Sequence, residues 1–119
     1  MTIRNVLAGV AVRDLDAARG FYTRLLGREP DQAPMTEVIE YRFERGGWLQ
    51  VFSDDAGRAG HGSITLAVDD LDGEIARLEQ AGVEVGEATR HPDVDTAILS
   101  DPDGNQIVLA QAKSDALAR

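Results

Sequence analysis

The 119-residue chain has no cysteine. That excludes disulfides, thiolate metal ligands and a thiol nucleophile, and it fits a reducing compartment, so the cytoplasm is the expected location. Aromatic residues are scarce at 5%, with a single tryptophan, Trp48. Histidine occurs twice, so imidazole chemistry has only His61 and His91 to draw on. Basic residues are outnumbered 21 to 12, for a formal net charge of −9. With no basic stripe, nucleic acid and anionic membrane surfaces are excluded as expected partners. No apolar run approaches the ~18 residues of a membrane span. The opening Met1-Thr2-Ile3-Arg4-Asn5 lacks the apolar stretch of an export signal. There is no Ser-His-Asp set, phosphate-cradling glycine loop or CxxC pair.

What the chain does have is a repeat. Ala11-Val12-Arg13-Asp14-Leu15-Asp16 is echoed by Ala67-Val68-Asp69-Asp70-Leu71-Asp72. Each copy follows an apolar stretch and leads into a helical pattern closed by Gly27 or Gly82. Self-similarity at a fixed offset implies duplicated supersecondary units. Val6–Val12 reads as a buried strand, with Val6, Ala8, Val10 and Val12 toward a helix and the smaller Leu7, Gly9 and Ala11 free to line a cavity. Asp14 stands where an N-cap belongs, and Leu15, Ala18, Phe21, Tyr22 and Leu25 form a helical stripe. Gly20 within that helix points to close packing on the sheet.

A loop with Pro30 and Pro34 is expected next, then a hairpin. Ile39, Tyr41 and Phe43 alternate with Glu40, Arg42 and Glu44, and Gly46-Gly47 turns the chain into Trp48–Phe52. Residues 54–62 read as a polar, glycine-rich linker. The second unit repeats the order: a strand over Ser63–Val68 and a helix capped by Asp70 with Leu71, Ile75 and Leu78. A strand is expected to start at Val83-Glu84-Val85. Strands over Thr96–Ser100 and Gln106–Ala110 are joined by the turn-forming Asp101-Pro102-Asp103-Gly104-Asn105. The expectation is one α+β domain over 1–119, with module one at about 1–55, module two at about 61–112 and a tail over 113–119. Each module runs βαβββ, and the two combine in one open, curved mixed sheet with a cupped pocket.

The helix motif Val12-Arg13-Asp14-Leu15-Asp16-Ala17-Ala18-Arg19-Gly20-Phe21-Tyr22 with Leu25-Leu26-Gly27, and the closing Asp101–Asn105 turn with Ile107-Val108-Leu109, resemble the vicinal oxygen chelate superfamily. That group includes glyoxalase I, extradiol dioxygenases and the fosfomycin and bleomycin resistance proteins. The resemblance spans about Val6 to Ala112 and implies homodimers of paired βαβββ modules. Metal-using relatives hold a divalent ion with His, Gln or Glu from the first and last strands of each module. On this sequence those positions fall on Leu7, Gln50, Ser63 and Val108. Two are aliphatic and cannot ligate a metal, so the resemblance implies the metal-free branch with no cofactor.

The expected function is therefore sequestration of a small organic ligand, of bleomycin-resistance type, in a cup lined by Leu7, Tyr41, Phe43, Trp48, Gln50, Ser63 and Val108. Aromatic walls with an amide suit a planar or cationic molecule. Asp54 and Asp55 stand at the rim or in a solvated turn. The alternative is a glyoxalase-like lyase or isomerase, using an atypical metal site at His61 and Gln50 or acid–base catalysis by His91. Both histidines also read as ordinary surface residues. A third reading is a structural dimer module whose cup has closed.

Overall fold

The computed structural model describes residues 2–54, 57–115 and 119. The first module comprises β1 (Leu7–Val12), α1 (Leu15–Leu26), β2 (Gln32–Met35), β3 (Val38–Arg42) and β4 (Trp48–Ser53). The second comprises β5 (Ser63–Ala67), α2 (Leu71–Gln80), β6 (Thr89–Arg90), β7 (Val94–Ser100) and β8 (Gln106–Ala112). The strands hydrogen-bond as two four-stranded sheets, in the orders β1-β4-β3-β2 and β5-β8-β7-β6, rather than as one continuous sheet. In each, the first strand runs parallel to the last while the other pairings are antiparallel. The repeat in the sequence is thus a repeat of topology.

Two compact units form: residues 1–62 with 101–105, and residues 63–100 with 106–119. In the first, the Asp14 carboxylate accepts from the backbone N–H groups of Asp16 and Ala17, starting α1. Gly27, at φ 73°, ends it in the left-handed conformation that glycine adopts without strain. Ala18, Phe21, Tyr22 and Leu25 are the buried stripe of α1, set over Val10, Val12, Ile39, Tyr41, Leu49 and Val51. Truncating one such buried leucine to alanine costs about 2–5 kcal/mol. Only the second half of the bulkier β1 parity is buried, since Ala8 is exposed and Val6 lies before the strand at 81% exposure.

The turn Asp101–Asn105 belongs to the first unit. Asn105 is fully buried, donates through its side chain to the Ala11 carbonyl at 2.8 Å, and accepts from the Gly62 N–H. Asp101 folds the turn by accepting the N–H groups of Asp103 and Asn105. In the second unit, Asp70 caps α2 through the Gly73 N–H. Leu71 and Leu78 of α2, Ile64 of β5, Ala97 and Leu99 of β7, and Ile107 and Leu109 of β8 supply the core.

Three local expectations differ. The proline-bearing loop contains the strand β2, which tolerates Pro34 because it lies at the edge of its sheet. The segment Val83-Glu84-Val85 is not a strand: the Val83 N–H closes the end of α2 on Leu78, and only the Gly86 N–H reaches β7, at Ile98. Gly20 does not mark close packing, since a methyl group placed there meets nothing within 4 Å. Asp55, the end of the expected first module, and residues 116–118 of the expected tail lie outside the described residues.

Candidate functional site

Strand alternation gives each sheet one face for its helix and one without. On the helix-free face of the first sheet, register sets three rows. Leu7, Trp48 and Arg42 form the first, Gly9, Gln50 and Glu40 the second, and Ala11, Phe52 and Val38 the third. The expected site residues Leu7, Trp48 and Gln50 are therefore brought onto one surface. On the helix-free face of the second sheet, Ser63 pairs with Gln106, and Val108 stands between Thr65 and Ile98. Gln106 donates to the Ser63 hydroxyl at 3.1 Å.

Tyr41 and Phe43 do not join Trp48. The hairpin register pairs Tyr41 with Leu49 and Arg42 with Trp48, so the indole's cross-strand neighbour is the arginine. Tyr41 is fully buried on the helix side, with its hydroxyl 3.4 Å from that of Thr23. Burial raises its phenol above the usual range. Phe43 clusters with it around Arg28, whose guanidinium lies 5.8 and 5.7 Å from the Tyr41 and Phe43 ring centroids. The alternation of Ile39, Tyr41 and Phe43 against Glu40, Arg42 and Glu44 already carried this division.

The same alternation could have supplied the two charged residues absent from the expected wall. Glu40 accepts from the Gln50 amide nitrogen at 2.5 Å. Arg42 lies 5.8 Å from the Trp48 ring, and Arg58 lies 5.6 Å from Phe52. The exposed aromatic faces are thus already held against the chain's own guanidiniums. An incoming cation would have to compete with Arg42 for Trp48, and an exposed cation–π contact is worth only about 0.5–1 kcal/mol.

At the four positions where the resemblance places metal ligands, Leu7 and Val108 offer no donor atom, Gln50 gives its amide nitrogen to Glu40 and keeps its carbonyl oxygen, and the Ser63 hydroxyl accepts from Gln106. Among the described residues, no three His, Asp or Glu side chains are grouped to hold a metal. His61 is exposed, with its N–H on the Arg58 carbonyl, and His91 is exposed in the turn between β6 and β7. Asp54 pairs with Arg58, and Asp55 lies outside the described residues. A concavity of about 250 Å³ lies elsewhere, lined by Leu15, Asp16, Arg19, Met35, Val38 and Ile39 among others. None of the seven expected ligand-binding residues borders it.

Residues 4–109 match the Glyoxalase/Bleomycin resistance protein/Dioxygenase superfamily. A solved glyoxalase/bleomycin resistance protein from Catenulispora acidiphila DSM 44928 is 34% identical, with 91% of this chain and 97% of that one covered at a TM-score of 0.82. An antibiotic binding protein from Streptomyces sp. CB03234 is 28% identical, with 95% and 99% covered at a TM-score of 0.79. The bleomycin resistance determinant encoded on the transposon Tn5 shares the fold, at 20% identity, 94% and 100% coverage and a TM-score of 0.78. No curated protein matches the chain. The motifs, the duplicated βαβββ topology and these matches agree: the chain belongs to the glyoxalase/bleomycin resistance protein/dioxygenase superfamily.

Proposed function

We propose that this protein sequesters a small organic molecule, without a metal ion and without transforming it. The ligand packs against the helix-free face of the first sheet, at Leu7, Trp48 and Gln50, and Ser63 and Val108 serve the same role on the second sheet. The observation that carries this reading is chemical. The site positions that hold an ion in metal-using relatives present aliphatic carbon at Leu7 and Val108, with the chain's single indole beside Leu7. Apolar and aromatic surface with a few fixed polar groups suits an organic ligand. The similarity to an antibiotic binding protein supports an antibiotic as the ligand, and resistance as the role.

The protein works as a homodimer in the cytoplasm. No helix among the described residues is long and apolar enough to cross a membrane. Ile3 and Val6 are exposed apolar residues just before the edge strand β1, and a second copy would cover them. Size-exclusion chromatography with light scattering should give twice the chain mass.

The deciding experiment is titration of the purified protein with a panel of aromatic antibiotics, followed by Trp48 fluorescence and calorimetry. Saturable binding with the ligand recovered intact is the expected result. Stoichiometric divalent metal in the protein as purified, or conversion of the bound compound, would sink it.

A further inference from the structure

We propose that the ligand of the Trp48 face is a planar aromatic carboxylate, and that Arg42 is the residue that selects for its negative charge. This rests on that face being the ligand site. Three arginines lie over aromatic rings in this protein, and two of them are already neutralised: Arg28 pairs with Asp31 and Arg58 with Asp54. Among the described residues, Arg42 forms no ion pair with any carboxylate.

The reason is visible in its neighbours. Glu40, two residues back on the same face of β3, gives Oε2 to the Gln50 amide. Asp31 accepts from the Arg42 backbone N–H at 2.7 Å and forms its ion pair with Arg28, while the Arg42 charge acts on it only from a longer range. The Arg42 guanidinium lies 5.8 Å from the centroid of the Trp48 ring, and among the described residues no carboxylate stands within ion-pair distance of its N–H fork. A planar guanidinium held against an indole is preorganised for bidentate recognition of a carboxylate. In the same row stand Leu7 and the indole; the next row holds Gly9, Gln50 and the Glu40 carboxylate, with the Phe52 ring 3.4 Å from where a Gly9 Cβ would stand, so the apolar surface beside the guanidinium is Leu7 and Trp48. An aromatic ring rests there while its carboxylate reaches Arg42. The net charge of −9 repels anions at long range, but that field is screened within about 8–10 Å in physiological salt. The selectivity is therefore local and assignable to one side chain.

The test uses three probes of one ring system, 2-naphthoate, 2-naphthamide and 2-naphthylmethylammonium, titrated calorimetrically into the wild-type protein and into Arg42→Gln and Arg42→Lys. The acid is expected to bind at least tenfold more tightly than either analogue. Arg42→Gln should bring the acid down to the level of the amide while leaving the amide's affinity within about twofold. Arg42→Lys, which keeps the charge but not the fork, should retain part of the preference. Equal binding of all three, tightest binding of the ammonium, or an acid preference that survives Arg42→Gln overturns the assignment while the organic-ligand reading stands. Failure of all three probes to bind also overturns the assignment, and the antibiotic panel then decides the organic-ligand reading by itself.

Discussion

The phenol of Tyr22, on α1, donates to a carboxylate oxygen of Asp101 at 2.8 Å, across 79 positions of sequence. Tyr22 is fully buried and Asp101 nearly so. The same carboxylate oxygen also accepts from the Asn105 side chain, which in turn reaches the Ala11 carbonyl of β1. The two family motifs, one in the first helix and one in the closing turn, therefore meet in a single buried hydrogen-bond network. Tyr22→Phe should keep the packing and lose one charge-assisted bond, at a cost of about 1.5–3 kcal/mol. For a domain of this size that is a fall in Tm of several degrees, readable by calorimetry.

The same pair sets an alkaline limit. Burial first, and then the Asp101 charge, push the Tyr22 phenol far above its ordinary range. In the unfolded chain it ionises near pH 10. A group whose folded value is raised contributes fully below its unfolded value and loses that contribution as pH climbs toward the folded one. Wild-type stability should therefore decline above about pH 10. Tyr22→Phe should show a shallower decline, with the remainder left to Tyr41, whose phenol is also raised by burial.

Asp95 sets the acid limit. Its carboxylate is buried on β7, with the Lys113 ammonium 3.0 Å from Oδ1 and the Arg90 guanidinium 3.0 Å from Oδ2. Lys113 foremost, then Arg90, holds it below the usual carboxylate range against the opposing effect of desolvation. A depressed folded value gives stability that is present above the unfolded value, near pH 4, and lost as pH falls below it. The difference in Tm between wild type and Asp95→Asn should be largest near neutrality and shrink between pH 4 and pH 2. A difference constant over that range would show that the ion pairs contribute nothing.

Two glycine substitutions should move stability in opposite directions. Gly20 sits in an exposed helical position where an added methyl group would meet only open space, so Gly20→Ala should stabilise by about 0.5–1 kcal/mol. Gly60 has φ +85°, and a Cβ there would stand 2.3 Å from the Asp103 carbonyl oxygen. Gly60→Ala should destabilise by at least about 1–3 kcal/mol, because both the left-handed backbone and the approach of the closing turn require the absence of a Cβ. Denaturant melts of the two variants against wild type check both signs.

Much of the fold was legible because caps and stripes are local. Asp14, Gly27 and Asp70 act within a turn of where they stand, and the repeat fixed the order of elements. What the sequence concealed was decided by pairing. No local signal says that Val83–Val85 lacks a partner strand, or that Gly20 faces solvent, since both depend on what lies across from them. The composition of the candidate wall depended on the same kind of information. Trp48 and Gln50 followed from parity within one strand, but which residues of β3 stand beside them depended on the hairpin register. With Arg42 opposite Trp48, Tyr41 falls on the helix side and Glu40 falls beside Gln50. A one-residue slip would exchange every side chain between the faces.

That register gives the sharpest test of the site. Tyr41 and Trp48 are both aromatic and sit on adjacent strands, yet only Trp48 stands on the face proposed for the ligand. Tyr41→Phe removes a long hydroxyl contact with Thr23 and should lower stability by no more than about 1 kcal/mol while leaving ligand affinity unchanged. Trp48→Ala removes a half-buried ring and the seat of Arg42, and should weaken binding at least tenfold, or about 1.4 kcal/mol. Calorimetric titration of both variants with any ligand that saturates the wild type reads the two effects together with Tm. If Tyr41→Phe weakened binding as much as Trp48→Ala, the ligand would have to reach the helix side of the sheet, and the helix-free face would be the wrong one.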